Sequence, residues 1–281
     1  MIETIKEMIS YTFINRAIIV GSLVSLCAAL LGVSLVLKRY AMIGDGLSHV
    51  GFGILTVTVA LQATNEWLGN IAPLYITIPV VVIFAVILLK IGNNSNIKSD
   101  SAIALISSSS LAIGVAVTSI TTGMNTDICN FMFGSILAMS ESDVILSIIV
   151  SILVAILFII YYRKLFAITF DENFSKAIGL KVDRYTNLIA VLTAVIIVVG
   201  MRMMGTMLIS SIIIFPALTS MRVFKTFKKV VISSGVISIV AFLIGIYLAY
   251  VYNISTGAVI VLVNLLLFIL FYIIGKIIYE K

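Results

Sequence analysis

Charge is what this 281-residue chain has least of: 11% of its residues are charged and 62% are hydrophobic. A soluble domain carries about 25% charged residues, so a water-exposed enzyme of this size is excluded. Disorder is excluded as well, because it requires low hydrophobicity. Histidine is reduced to His49, and no HExxH occurs, which argues against a metalloprotease. No GxxxxGK[ST] loop is present, so the chain does not bind ATP by that route. The cysteines are Cys27 and Cys129, distant and without a CxxC, which leaves neither a disulfide framework nor a thiolate metal site. The 18 basic residues outnumber the 12 acidic ones, yet they lie between apolar blocks and not in a nucleic-acid-binding stripe.

What the chain does have is long apolar runs bounded by charge, and a mean hydropathy of +1.25. Nine runs suit membrane helices of about 20 residues: Phe13–Leu37, Met42–Ala63, Ile71–Ile91, Ser101–Ile120, Val144–Tyr162, Tyr185–Met201, Thr206–Phe224, Val230–Tyr252 and Thr256–Ile274. The first is too long for a signal h-region of about 7–15 residues and lacks a small-x-small cleavage site, so it is expected to remain as a span. The short apolar piece Ile128–Met139 suits a re-entrant or interfacial segment. The expected architecture is an all-α polytopic membrane protein, one domain over residues 1–281, with no clear internal repeat. The number of spans drops to eight if the tight junction at Met203–Gly205 joins two half-helices. All basic residues except Lys6, Arg16 and Arg202 fall in one set of alternating loops. That bias predicts the N-terminus outside and the C-terminus inside, with Glu66 and Trp67 on an outer loop.

The second span opens Ala41-Met42-Ile43-Gly44-Asp45-Gly46-Leu47-Ser48-His49. Asp45 is the one acidic residue expected inside a span, and four residues on, His49 shares its helix face. An Asp at mid-membrane costs about 2.5–3.5 kcal/mol on the insertion scale and marks an ion route. Carboxylate plus imidazole suits zinc, manganese or iron(II), and lacks the thiolates that suit copper(I). Two ligands fall short of a zinc site of about four; a second copy across a two-fold axis would supply the rest. Glycines 44, 46, 51 and 53 would let helices approach closely or the backbone open. A proton relay, or an Asp–His hydrogen bond clasping two helices, fits the same residues. By helical rise from Arg39, Asp45 is expected near the cytoplasmic side unless the first loop dips into the membrane.

After the fifth span, Asp171 reads as an N-cap, Glu172 as a first-turn acid and Gly179 as a C′ residue. Phe174, Ala177 and Ile178 follow i, i+3, i+4 and form one apolar face. A two-turn helix is unstable alone in water, so it packs on its own domain, on the membrane surface or on a partner. Elsewhere, Met201, Met203, Met204 and Met207 read as packing more than as soft-metal ligands. Arg202 is expected to snorkel at the outer interface. Asp127, Glu141 and Asp143 are expected to be solvated loop residues. Pro73, Pro79 and Pro216 are expected to kink or break their spans, and Pro216 is a candidate for a gate or half-helix. Ser107 to Ser110 suit close helix packing.

Leu31–Arg39, the Gly44-Asp45-x-x-Ser48-His49 element, Phe133-Gly134-Ser135-Ile136-Leu137, Phe170–Leu180 and Met204–Ile209 through Pro216-Ala217 together resemble the membrane subunit of the zinc/manganese class of ATP-binding-cassette importers. The resemblance runs over nearly the whole chain in the same order, and its most specific part is the Asp45/His49 element. It implies a multi-pass permease of a bacterial plasma membrane, homodimeric, paired with two cytoplasmic ATPase subunits and served by an extracellular metal-binding lipoprotein. It implies no resident cofactor; a manganese, zinc or iron ion is the cargo, and hydrolysis takes place in a partner. Asp45 and His49 then correspond to the metal ligands, and Ser48 to a residue of the pathway. Asp171, Glu172, Phe174, Ala177, Ile178 and Gly179 correspond to a helix docking in the ATPase. The competing reading is a self-contained secondary transporter using Asp45 and His49 for protons or cations, which has no need of the inner helix.

Overall fold

The computed structural model describes residues 8, 10–64, 71–94, 99–121 and 141–279. Glu66, Trp67, Asp127, Cys129, Lys6, Lys98 and the Ile128–Met139 piece with its Phe133–Leu137 motif lie outside the described residues. Ten helices account for most of the rest: α1 Thr12–Leu37, α2 Ala41–Thr64, α3 Pro73–Asn94, α4 Ser99–Ile120, α5 Glu141–Phe170, α6 Glu172–Ala177, α7 Val182–Met204, α8 Thr206–Val223, α9 Phe227–Tyr252 and α10 Thr256–Tyr279. Eight of them are long and apolar enough to cross a membrane, and the apolar stretch Pro73–Leu88 of α3 is a shorter ninth. The all-α polytopic expectation holds. Several limits differ, most of all in α5, whose 30 residues begin before Val144 and run well past Tyr162.

The junction at Met203–Gly205 is a corner between two separate helices. Gly205 has φ 85° and ψ 160°, a region open only to glycine. Its N–H closes α7 on Met201 O, and its carbonyl accepts from Ile209 N to start α8. The chain folds back here: a Cβ on Gly200 would lie 2.5 Å from Ile209 Cδ1. None of the prolines breaks a span. Pro73 is the first residue of α3, where its missing N–H is of no consequence. Pro79 and Pro216 lie inside helices that continue through them.

α1 and α7 are the most buried spans and α4, α5 and α10 the most peripheral. Around α1 the contacts are small and polar: Ser238 Oγ donates to Ser25 O, and Cys27 Sγ to Ser151 O. α8 stands between the sequence neighbours α1 and α2. A Cβ at Gly32 on α1 would run into the Ile213 carbonyl, and one at Gly44 on α2 would lie 3.4 Å from Ile213 Cδ1. On its other side α2 beds against α4, where a Cβ at Gly46 would lie 2.6 Å from Ile103 Cγ2 and one at Gly53 would run into the Ser110 carbonyl. Gly46 and Gly53 thus fix α2 closely against α4, whereas Gly44 leaves ordinary contact room toward α8.

Candidate metal pathway site

Asp45 and His49 lie one turn apart on α2, with His49 Nε2 3.8 Å from Asp45 Oδ1. That is too long for a hydrogen bond, so the two side chains do not bond each other. His49 Nδ1 is buried and without a hydrogen-bond partner. The Asp45 side chain is 43% exposed in the single chain, that of His49 18%. Among the described residues no third His, Cys, Asp or Glu joins them.

Asp45 is the fifth residue of α2, close to the turn that follows α1, and the neighbours of α2 give the height of the pair within the bundle. Gly44 faces Ile213, and Ile213 lies about 10 Å along α8 from Thr206 at 1.5 Å per residue. Ser48 Oγ lies 3.0 Å from Ser210 Oγ, nearer still to that end. Further along α2, a Cβ at Gly51 would lie 2.8 Å from Met201 Sδ, close to the end of α7. Asp45 therefore sits near the middle of α8, and His49 somewhat beyond, toward the end of the bundle that carries Met201 and Gly205.

The turn that sets this height is built from Lys38, Arg39 and Tyr40. Arg39 N donates to Val36 O and Tyr40 N to Leu35 O at 2.8 Å, a Schellman closure of α1. Arg39 occupies its left-handed position, φ 61°, where glycine is usual. Lys38, 5% exposed in its side chain, reaches Glu172 Oε1 at 2.6 Å and donates to Thr186 Oγ1 at 3.0 Å. Burial, and then the Glu172 carboxylate, push the Tyr40 phenol above its ordinary pKa.

At that same end α6 forms as its sequence prescribes. Asp171 Oδ1 accepts from Phe174 N, and a second Schellman closure (Gly179 N to Lys176 O, Leu180 N to Ser175 O) puts Gly179 at φ 82°. Ser175 faces inward and is fully buried, whereas Phe174 and Ile178 are 61% and 56% exposed. The apolar face thus lies uncovered on the single chain.

At the opposite end two ion pairs correct the sequence reading. Asp143, buried in the first turn of α5, meets Arg202 of α7 at 3.0 Å. Arg202 is therefore paired, not merely snorkelling, and Asp143 is no solvated loop residue. Glu141 meets Arg16 at 2.6 Å. Met201, Met203 and Met204 are buried, as packing residues would be, whereas Met207 is exposed. Lys38, Thr186 and Ser210 were missed. Their partners lie more than a hundred residues away, and no local pattern announces them.

A model of the family described as "ABC 3 transport family" matches residues 10–275. The manganese import system permease protein ScaB of Streptococcus gordonii is 30% identical over 95% of this chain and 93% of its own length. The high-affinity zinc uptake system membrane protein ZnuB of Haemophilus influenzae is 26% identical over 90% of this chain and 94% of its own length. Among solved structures, PsaBC from Streptococcus pneumoniae in complex with Fab superposes with a TM-score of 0.85 at 28% identity, over 97% of this chain and 95% of that one.

Proposed function

The chain belongs to the ABC 3 transport family, and from that premise we propose that it is the membrane subunit of an importer for a divalent transition metal. Manganese and zinc are the metals in the names of its relatives; iron(II) suits the same donors. The observation that carries the reading is the Asp45–His49 pair inside the span α2, level with the middle of α8. A polar pair at that level is costly, it makes no hydrogen bond of its own, and its 3.8 Å separation lies within the span of two ligands each about 2.1 Å from one ion.

Two copies of the chain complete the site. One Asp45 and one His49 from each give four donors, and the two carboxylates neutralise a dication, which would otherwise be prohibitive in hydrocarbon. The ion sheds water on arrival and leaves because its ligands are few and exchangeable. Energy comes from outside the chain. The uncovered face of Phe174, Ala177 and Ile178, held by the Asp171 and Gly179 caps, docks in a cytoplasmic ATPase subunit, one for each copy. Closure of the ATPases moves α6, and the two permeases rock about the dimer axis. Orientation is N-terminus out and C-terminus in, with an extracellular binding lipoprotein delivering the ion at the Arg202–Asp143 end. Pro216, which leaves Ile212 O without its usual donor in mid-α8, is the gate candidate on that helix.

The test is ATP-dependent uptake of manganese, zinc and iron(II) by proteoliposomes holding the chain with its ATPase and binding protein. Uptake should need all three proteins and vanish in Asp45→Ala and His49→Ala. Uptake by this chain alone, driven by a proton gradient and indifferent to ATP, would establish the secondary-carrier reading instead.

A further inference from the structure

The ion pair between Lys38 and Glu172 joins the short inner helix to the turn from which α2 starts. We propose that it is the strut through which movement of α6 reaches Asp45 and His49, a proposal that rests on the transport reading above. Three observations carry it.

The first is that the ammonium has little alternative. Its side chain is 5% exposed and that of Glu172 44%. If α6 moved away alone, Lys38 would be left as an uncompensated buried charge, which is strongly unfavourable. Lys38 therefore follows Glu172. The Thr186 hydroxyl, its other acceptor, sits on α7 and steadies the ammonium from the side. A neutral oxygen does not replace the lost carboxylate.

The second is that the turn beyond Lys38 is closed and short. Lys38 N, Arg39 N and Tyr40 N all bond back to carbonyls of α1, and Tyr40 O already accepts from Ile43 N in the first turn of α2. The turn contains no glycine to absorb a displacement. A shift of Lys38 is passed to the N-terminus of α2, and Asp45 lies about 6 Å beyond that point by helical rise.

The third is that α1 and α2 diverge around α8, so little direct packing between them resists movement of the turn. Gly44 has ordinary contact room against Ile213 Cδ1, unlike Gly32 against the Ile213 carbonyl. The α2 side of α8 is the looser side.

Lys38 and Glu172 are thus positioning residues that act through the turn; neither needs to touch the ion. The experiment uses the complete transporter in proteoliposomes, with manganese(II) and zinc(II) offered separately. ATP hydrolysis, metal taken up per ATP and retention of the ATPase on the purified chain are measured for wild type, Lys38→Met, Glu172→Gln and the swap Lys38→Glu/Glu172→Lys. The expected result for Lys38→Met is an ATPase that stays bound and hydrolyses, with metal per ATP down about tenfold, the size of a common coupling energy. Glu172→Gln lowers metal per ATP alike, and the swap recovers most of the loss. Lys38→Met is the decisive variant, because Lys38 lies outside the docking helix and methionine keeps the length of its side chain; an unchanged melting temperature shows that it folds. Unchanged metal per ATP in Lys38→Met would overturn the proposal. So would loss of ATPase binding, or an equal fall in hydrolysis and uptake, since either outcome would make the pair only an anchor for α6. A wild type with no ATP-dependent uptake of either ion would instead remove the transport reading, and the proposal with it.

Discussion

Ser48 of α2 and Ser210 of α8 meet hydroxyl to hydroxyl at 3.0 Å, both buried, one turn from Asp45. Each hydroxyl also faces a carbonyl of its own helix, Asp45 O for Ser48 and Thr206 O for Ser210. Two protons serve three contacts, so one bond is always given up. Ser48→Ala therefore leaves Ser210 satisfied and should cost no more than about 1 kcal/mol. Ser48→Leu, at a position with no free volume, overpacks the interface by about 1–3 kcal/mol. Thermal unfolding of the detergent-solubilised chain separates the two. Equal midpoints would show that α2 and α8 are not in firm contact.

Asp45 and His49 should be replaceable without harm to folding. No hydrogen bond joins them, and a carboxylate inside a span carries an insertion cost of up to about 2.5–3.5 kcal/mol, which its removal relieves. Asp45→Asn is expected to unfold at or above the wild-type temperature while ATP-dependent metal uptake is lost. His49→Gln should behave alike. A large fall in melting temperature for either variant would return the pair to a structural role.

Gly32 and Gly44 face the same α8 residue with different tolerance. A methyl at Gly32 strikes the backbone carbonyl of Ile213, which cannot yield without moving α8, whereas a methyl at Gly44 meets the end of the Ile213 side chain at 3.4 Å. Gly32→Ala should destabilise by about 1–3 kcal/mol or prevent assembly, and Gly44→Ala should be close to neutral. Fluorescence-detected size exclusion after a heat step reads the difference directly.

At the Arg202–Asp143 end, burial makes removal of one partner worse than removal of both. Arg202→Met leaves a carboxylate 5% exposed in the first turn of α5, at a cost of about 3 kcal/mol. The helix dipole at the α5 N-terminus softens this somewhat. Adding Asp143→Asn should restore much of the loss. The coupling energy from the double-mutant cycle is the measurement, and a value near zero would show that the pair is worth no more than an exposed one.

The spans were legible in the sequence because apolar runs of this length have no other stable use in a chain so poor in charge. Asp45 and His49 stood out for the same reason, as polar residues at odds with their surroundings. The contacts that hold the turn before them were not legible: Lys38 meets Glu172 and Thr186 across 134 and 148 positions of chain. The Asp143–Arg202 pair was hidden likewise, since an acid at a span end looks the same whether it meets water or an arginine. The expectation that prolines break spans failed because Pro73 begins its helix and the other two lie in helices that continue.

The last prediction concerns α6, where sequence and structure agree in detail. Its caps make it a rigid two-turn projection and its apolar side is uncovered, so residues on that side can be changed without disturbing the fold. Phe174→Asp, at a position 61% exposed, should leave the stability within about 0.5 kcal/mol of wild type. Co-purification of the ATPase should nevertheless be abolished. Asp171→Ala removes the bond to Phe174 N and should weaken the helix by about 1 kcal/mol, lowering ATPase affinity several-fold without abolishing it. The order matters: a docking helix loses most when its contact residue changes and less when its cap does. A helix that merely packs against its own domain would show the opposite order, with the cap variant melting first and the Phe174 variant silent in every assay.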